Sequence, residues 1–224
     1  ELCYATSRYP DHDFEFRGVI VSNGDVGYEG RKEKDRVNHT GTNHGSIEKI
    51  NNRWYVFYHR QTNISDFSRQ ACAEPIDIKP NGSIPQVEIT SSGLNSSALK
   101  PEGVFPAVIC CNLTNGHMPH GANRKFNKIP SVTSKNGEQF IHLTKNTKVV
   151  YKYFNFEGEY GLTIKAKGKG TISVLSNSID VESNTWKNYS TTITGNGRTA
   201  LCFEMKKGSI DMHSFEFYRR NYNE

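Results

Sequence analysis

The stretch HGSIEKINNRWYVFYHR, residues 44–60, decides the fold of the first half of the chain. Two runs rich in β-branched and aromatic residues flank Asn51-Asn52, and asparagine tolerates the positive φ that a two-residue hairpin turn requires. The sequence therefore predicts an antiparallel hairpin with strands over residues 44–50 and 53–60. Four aromatic residues of the second strand are predicted to lie mainly in the core: Trp54, Tyr55, Phe57 and Tyr58.

Further strand-like runs surround this hairpin, and helical periodicity is nearly absent. Residues 2–7, 16–22 and 68–78 alternate or cluster β-forming residues and are joined by turn-rich segments. Short strands on short turns, with long loops between them, are typical of the blades of a β-propeller. Residues 79–104, rich in proline, serine and glycine, predict a linker or a chain crossing between domains.

A second series of about eight strand-like runs follows the linker and predicts a jelly-roll β-sandwich. Turns are predicted at Gly168-Lys169-Gly170 and at Lys207-Gly208, where glycines interrupt the alternation. The fold class is therefore all-β. We predict two domains, residues 1–92 with the propeller-like strands and residues 93–224 with the sandwich.

Composition excludes several classes of protein. The 224 residues carry a net charge of +5, but the densest charged run, RKEKDR, alternates in sign, so we expect no nucleic-acid partner. No apolar run approaches the roughly 18 residues that a membrane span needs. The five cysteines are too widely spaced to form a disulfide framework or a CxxC metal site.

Several short motifs, in order, resemble glycoside hydrolase family 43, whose members are five-bladed propeller enzymes acting on arabinan and xylan. TGTNHGSIEKINNRWYVFYHRQTN and SRQACAEPI resemble the last blade, and CYATSRYPDHDFEFRGVIVSNGD resembles the blade before it. The tail from KYFNFEGEYGLTIKAKGKGTISV onward is similar to a galactose-binding-like sandwich of the family 6 carbohydrate-binding type.

The resemblance implies an inverting glycosidase, which needs one carboxylic acid and one carboxylate base about 6.5–9.5 Å apart. In the family both lie in earlier blades, so we expect this chain to be the C-terminal part of a longer enzyme, without a catalytic acid or base. Asp25 and Glu29 are the nearest substitutes, and their loop context favours solvated side chains.

His44 matches the family's last-blade histidine on the propeller axis. The resemblance implies that it holds a hydrated metal, often calcium, or orients the catalytic carboxylates, which suits an imidazole that offers one nitrogen while the other is fixed. Arg60 and Arg69 are predicted substrate contacts. In the sandwich, Trp186 with Asn184 and Asn188 is the candidate sugar site, although half-buried packing is the simpler interpretation of Trp186.

The resemblance implies hydrolysis of O-glycosyl bonds at arabinose or xylose units of a plant-type polysaccharide. It also implies a bacterial protein that is secreted, periplasmic or at the cell surface, with a polysaccharide or oligosaccharide as its partner. Two alternatives stay open at this point. One is a non-catalytic carbohydrate-binding protein, and the other is a structural relic without either activity.

Overall fold

The computed structural model describes residues 1–65, 67–120 and 129–219. These ranges contain eleven β-strands and three short 3-10 turns, Tyr28–Gly30, Glu33–Asp35 and Ala107–Ile109, but no α-helix. The predicted all-β class is confirmed. None of the described segments forms a helix long and apolar enough to cross a membrane. The chain divides into two compact units, Glu1–Ser96 with Gly116–Arg124, and Ser97–Asn115 with Lys125–Glu224.

The first unit contains two small antiparallel sheets. In one, β1 (Leu2–Thr6) pairs with β2 (Glu15–Val21). The other has the order β3-β4-β5, formed by Gly45–Ile50, Arg53–Gln61 and Arg69–Pro75. Asn51 and Asn52 take φ values of 46° and 66° between β3 and β4. The predicted hairpin and its turn are therefore confirmed.

Burial along β4 confirms the prediction at Tyr55 and Tyr58, is partial at Phe57 and differs at Trp54. Tyr55 and Tyr58 are buried, and Tyr55 donates a hydrogen bond from its hydroxyl to the carbonyl oxygen of Leu94 at 3.0 Å. Trp54, in contrast, is 37% exposed, with the Lys49 ammonium 5.9 Å from its ring centroid. The prediction that Trp54 belongs to the core is wrong, because the register places it opposite Lys49 near the hairpin turn.

The second unit is a single six-stranded sheet in the described residues. Its order is β7-β10-β11-β9-β8, with β6 paired to β11. The strands are β6 (Gly103–Pro106), β7 (Asn112–Thr114), β8 (Ser131–Lys135), β9 (Glu138–Thr144), β10 (Lys148–Val174) and β11 (Asn177–Tyr218). The core of this unit combines aliphatic side chains with seven aromatic rings: Tyr151, Phe154, Phe156, Tyr160, Phe203, Phe215 and Phe217.

Two predicted turns of the second unit are wrong, and glycine explains both errors. Gly168-Lys169-Gly170 and Lys207-Gly208 lie inside strands, and the chain turns instead after Val174, where Leu175 has a φ of 51°. A Cβ atom on Gly170 would lie 2.2 Å from the Lys207 carbonyl oxygen. These glycines therefore permit close approach of neighbouring strands. Six of the predicted strands thus merge into two long ones, β10 and β11.

We expect Gly170→Ala to destabilise the chain by about 1–3 kcal/mol, because its methyl group would overlap backbone atoms of β11. Urea unfolding followed by circular dichroism measures this cost. Lys169→Ala is the matched control, since the Lys169 side chain is 80% exposed. A Gly170→Ala variant as stable as the control would show that the two strands do not approach so closely.

Urea unfolding should also distinguish the buried from the partly exposed aromatic residues of β4. Tyr55→Ala removes a buried ring and is expected to cost about 3 kcal/mol or more, whereas Tyr55→Phe should cost about 1 kcal/mol for the hydroxyl alone. Trp54→Ala should cost less than Tyr55→Ala, because the indole is partly exposed. Equal losses for Trp54→Ala and Tyr55→Ala would contradict the burial described above.

Candidate functional site

Polar side chains gather at one end of the β3-β4-β5 sheet. Gly45 pairs with Tyr58, and Gln61 pairs with Arg69, so the start of β3, the end of β4 and the start of β5 lie together. This end carries the three candidate site residues that the sequence predicts in the first half, His44, Arg60 and Arg69. We call it the polar end: His39, His44, His59, Arg60, Gln61 and Arg69.

His44 lies at the polar end in contact with a second histidine. It is exposed, and its ring centroid is 4.7 Å from that of His59, at an angle of 78°. Desolvation lowers the pKa of His59, and its proximity to Arg69 and His44 lowers it further. In its neutral form an imidazole can accept a hydrogen bond from a water or a protonated carboxyl group.

The predicted calcium requires more ligands than this pair provides. Calcium takes six to eight oxygen ligands, and the imidazoles of His44 and His59 offer nitrogen. Within the described ranges, no group of three or more His, Cys, Asp or Glu side chains could hold a metal ion. The described residues therefore do not fit a directly coordinated calcium, and the metal stays a prediction.

Asparagines form a buried network beside the polar end that the sequence did not indicate. Asn43 donates its Nδ2–H to Asn23 Oδ1 at 2.9 Å, and Asn38 donates to the carbonyl oxygen of Asn23 at 2.9 Å. Five buried polar atoms here have no hydrogen-bond partner in the described structure: Ser22 Oγ, Asn23 Nδ2, His39 Nδ1, Asn43 Oδ1 and His59 Nε2. Such atoms are costly unless water or another polar group satisfies them.

Arg60 and Arg69, the two predicted substrate contacts, differ in exposure. Arg60 is 1% exposed and donates from Nη2 to Gln70 Oε1 at 3.0 Å. This burial argues against a direct substrate contact for Arg60, because a fully buried guanidinium has no surface to offer a sugar. Arg69 is exposed at the first position of β5, and its predicted role stays a prediction.

Two buried carboxyl groups tie the segment after β5 to the first unit. Asp25 is fully buried and accepts a hydrogen bond from the Ile89 amide at 2.8 Å, so the prediction of a solvated Asp25 is wrong, whereas Glu29 is exposed. Glu74 accepts hydrogen bonds from the Thr90 amide at 2.7 Å and hydroxyl at 2.6 Å. Burial raises the pKa of Glu74 to about 7 despite these bonds. Both groups hold backbone in place.

His39 is a second buried titratable group of the first unit. Its Nε2 lies 3.0 Å from the carbonyl oxygen of Gln61, and a carbonyl only accepts, so Nε2 carries the proton. Burial, followed by the charge of Arg60, lowers the pKa of His39 to about 4. The imidazole is therefore neutral at ordinary pH.

In the second unit, Trp186 lies on the sheet face opposite the aromatic core. Its Nε1–H donates to Glu138 Oε2 at 3.0 Å, and its ring meets those of Phe140 and His213 edge-on, at 5.6 and 5.5 Å between centroids. The Lys167 ammonium lies 4.2 Å from the Trp186 centroid. Asn184 and Asn188 flank the tryptophan along β11 and are exposed.

Comparison with known proteins supports the resemblance derived from the sequence. No protein-family model matches the chain. The chain is 39% identical over 239 aligned residues to a xylosidase/arabinosidase from Thermoclostridium stercorarium. This match covers 96% of the chain and 50% of that protein, so the chain spans about half the length of the curated relative that it matches. The predicted resemblance to part of such a glycosidase is confirmed.

Solved structures give more distant similarities. A glycoside hydrolase family 43 arabinoxylan arabinofuranohydrolase from Bacillus subtilis, in complex with cellotetraose, has a TM-score of 0.48 at 18% identity and covers 97% of this chain and 47% of its own. CsCBM6-3 from Clostridium stercorarium, in complex with cellobiose, has a TM-score of 0.44 at 17% identity and covers 56% of this chain and 100% of its own. Identities this low do not indicate function.

The two buried titratable groups should have opposite effects on stability across the same pH range. Burial raises the pKa of Glu74 in the folded chain to about 7. The protonated side chain therefore stabilises the fold fully below the pKa of the unfolded chain, and this stabilisation is lost as the pH rises to 7. Burial lowers the pKa of His39 in the folded chain to about 4. The neutral side chain therefore stabilises the fold fully above pH 6.5, and this stabilisation is lost as the pH falls to 4. Each effect is on the order of 3 kcal/mol.

Single variants should reveal each effect, since the two largely cancel in the unmodified chain. Glu74→Gln should leave a protein whose free energy of unfolding rises from pH 4 to 6.5, and His39→Gln one whose free energy of unfolding falls from about pH 4.5 to 7. Urea unfolding at closely spaced pH values measures both slopes. Parallel pH profiles for the two variants would contradict the assigned pKa directions.

Proposed function

We propose that this chain is part of a glycosidase that hydrolyses O-glycosyl bonds at arabinose or xylose units of a plant-type polysaccharide. The observation that carries the proposal is the 39% identity to a xylosidase/arabinosidase along 96% of the chain. That similarity extends over both units, so we assign both to the same enzyme. The glycosidic bond itself would be cleaved by a carboxylic acid and a carboxylate base.

The polar end of the first unit is proposed to contribute to the active centre without supplying the acid or the base. His44 is exposed and lies against His59, whose pKa is lowered mainly by desolvation. Neutral imidazoles can orient a catalytic carboxyl group or hold a water, including one bound to calcium. Arg69, with its exposed guanidinium, is proposed to bind sugar hydroxyl groups.

The second unit is proposed to bind carbohydrate as an accessory to catalysis, through Trp186 with Asn184 and Asn188. An indole offers a flat apolar surface to a sugar ring, and amide side chains offer donors and acceptors to its hydroxyl groups. Lys167 already covers part of the indole, so we expect neutral oligosaccharides to bind weakly, in about the millimolar range. We also propose a location outside the cytoplasm, because polysaccharides do not cross membranes and the enzyme must meet its polymeric substrate there.

A non-catalytic carbohydrate-binding protein is the second candidate. Asp25 and Glu74 are the two fully buried carboxyl groups of the described first unit, and both hold backbone amides. Neither can therefore protonate a glycosidic oxygen. This observation favours a chain that binds sugar without cleaving it, unless a longer polypeptide supplies the acid and the base.

An activity comparison distinguishes the two candidates. Residues 1–224 alone should release no arabinose or xylose from aryl glycosides, because general acid–base assistance, worth about 10²–10⁴-fold, is missing. A longer polypeptide that also carries a catalytic acid and base should release one of these sugars. In that polypeptide, His44→Ala should lower kcat by about 10–100-fold.

His12→Ala is the matched control, because His12 is exposed on the loop between β1 and β2. It should leave kcat unchanged. Hydrolysis by residues 1–224 that a substitution in this chain abolishes would contradict the assignment of the acid and base to another part. An inactive longer polypeptide that still binds oligosaccharide would favour the non-catalytic candidate.

A further inference from the structure

Lys167 occupies an unusual position on the sheet face that carries Trp186. Its ammonium lies 4.2 Å from the Trp186 ring centroid and 5.3 Å from that of Phe140. The lysine side chain is only 29% exposed. A partly desolvated cation against two aromatic rings is well held in place, because the negative faces of the rings attract it.

Strand register places Lys167 in a row of polar side chains across three strands. Lys167 pairs with Asp211, and Asp211 pairs with His142. Asp211 Oδ1 lies 2.8 Å from His142 Nδ1, whereas Asp211 Oδ2 lies 3.9 Å from the Lys167 ammonium. The carboxylate is therefore bound to the histidine and meets the lysine only at long range.

The Lys167 ammonium thus keeps its capacity to donate hydrogen bonds. A distance of 3.9 Å exceeds the length of an N–H···O hydrogen bond, and Asp211 is the one carboxylate within ion-pair distance of this ammonium in the described ranges. Lysine carries three N–H donors. The neighbouring Glu138 carboxylate is already bound by the Trp186 Nε1–H. The face therefore presents a fixed cation with open donors beside an aromatic ring.

A bulge in β11 brings Trp186 to this cation. Ala166 pairs with Lys187, and Gly168 pairs with Ser183, so residues 184–186 lie opposite Lys167 alone. Bulged strands bend and redirect a side chain. The hydrogen bond to Glu138 and the edge contacts with Phe140 and His213 then fix the indole.

The combination favours one class of sugar. A neutral sugar that stacks on the indole competes with the ammonium for the ring face and gains no ionic contact. A sugar with a carboxylate can accept hydrogen bonds from the ammonium while its ring contacts the exposed part of the indole, and charge-assisted bonds are about twice as strong as neutral ones. We propose that Lys167 makes this surface selective for uronic acid residues of a polysaccharide. The proposal rests on the proposed carbohydrate binding by the second unit.

Calorimetric titration of residues 1–224 with three matched oligosaccharides tests the proposal. The probes are a xylo-oligosaccharide with one glucuronic acid branch, the same compound with its carboxyl group reduced, and the unbranched backbone. We expect the acidic compound to bind about fivefold more tightly than the reduced one, as a partly exposed ion pair allows. Added salt should reduce the difference.

Variants of β10 assign the preference to Lys167. Lys167→Met should abolish it, and Lys167→Arg, which keeps the charge, should retain it. Lys169→Met is the matched control, because it removes the same charge two residues further along β10, where the side chain is 80% exposed and paired with Glu182. Circular dichroism confirms that each variant is folded.

The outcomes separate this inference from the proposed function. Equal binding of the acidic and reduced compounds, or a preference that survives Lys167→Met, overturns the selectivity and leaves carbohydrate binding intact. Absence of binding by all three compounds overturns both. Sodium glucuronate alone, titrated as a separate arm, should bind more weakly than the branched compound, and equal binding would overturn a polysaccharide as the source of the carboxylate.

Discussion

The second unit depends on the pairing of β10 with β11 along both edges of β10. Thr171, for example, pairs with Asp180 on one side and with Lys207 on the other. One strand thus lies between two parts of its successor, and aromatic rings from both strands fill the core on one face. Glycine is required where these backbones approach most closely, since a Cβ atom on Gly170 or Gly208 would overlap a carbonyl oxygen of the neighbouring strand.

The same pairing determines the surface on the opposite face. Side chains alternate along a strand, so burial of Ala166 and Met212 places Lys167 and Asp211 on the other side. The bulge at 184–186 then adds Trp186 to that side. A core built from aromatic residues and a surface that joins an indole to a cation are therefore two consequences of one strand arrangement.

The first unit obeys a different constraint, which is the burial of polar groups. Asp25 and Glu74 accept hydrogen bonds from the amides of Ile89 and Thr90, and so fix the segment that follows β5. The asparagine network and the histidines of the polar end leave several buried atoms without partners in the described structure. Such atoms are costly to bury unless water or another polar group satisfies them, so this part of the unit has room for further hydrogen bonds.

The sequence by itself determined what depends on neighbours along the chain. The all-β class, the hairpin at Asn51-Asn52 and the resemblance to a glycosidase all follow from local pattern and motif. Tertiary structure alone decided the burial of Asp25, the exposure of Trp54, the strand-internal role of Gly168 and Gly170, and the position of Lys167 over Trp186. The alternation of apolar and polar residues along a strand predicts which face each side chain occupies. A glycine in a turn and a glycine inside a strand interrupt this alternation in the same way, so the sequence does not distinguish them. Contacts such as that between Asp25 and Ile89 join residues far apart in sequence, so only the folded chain determines them.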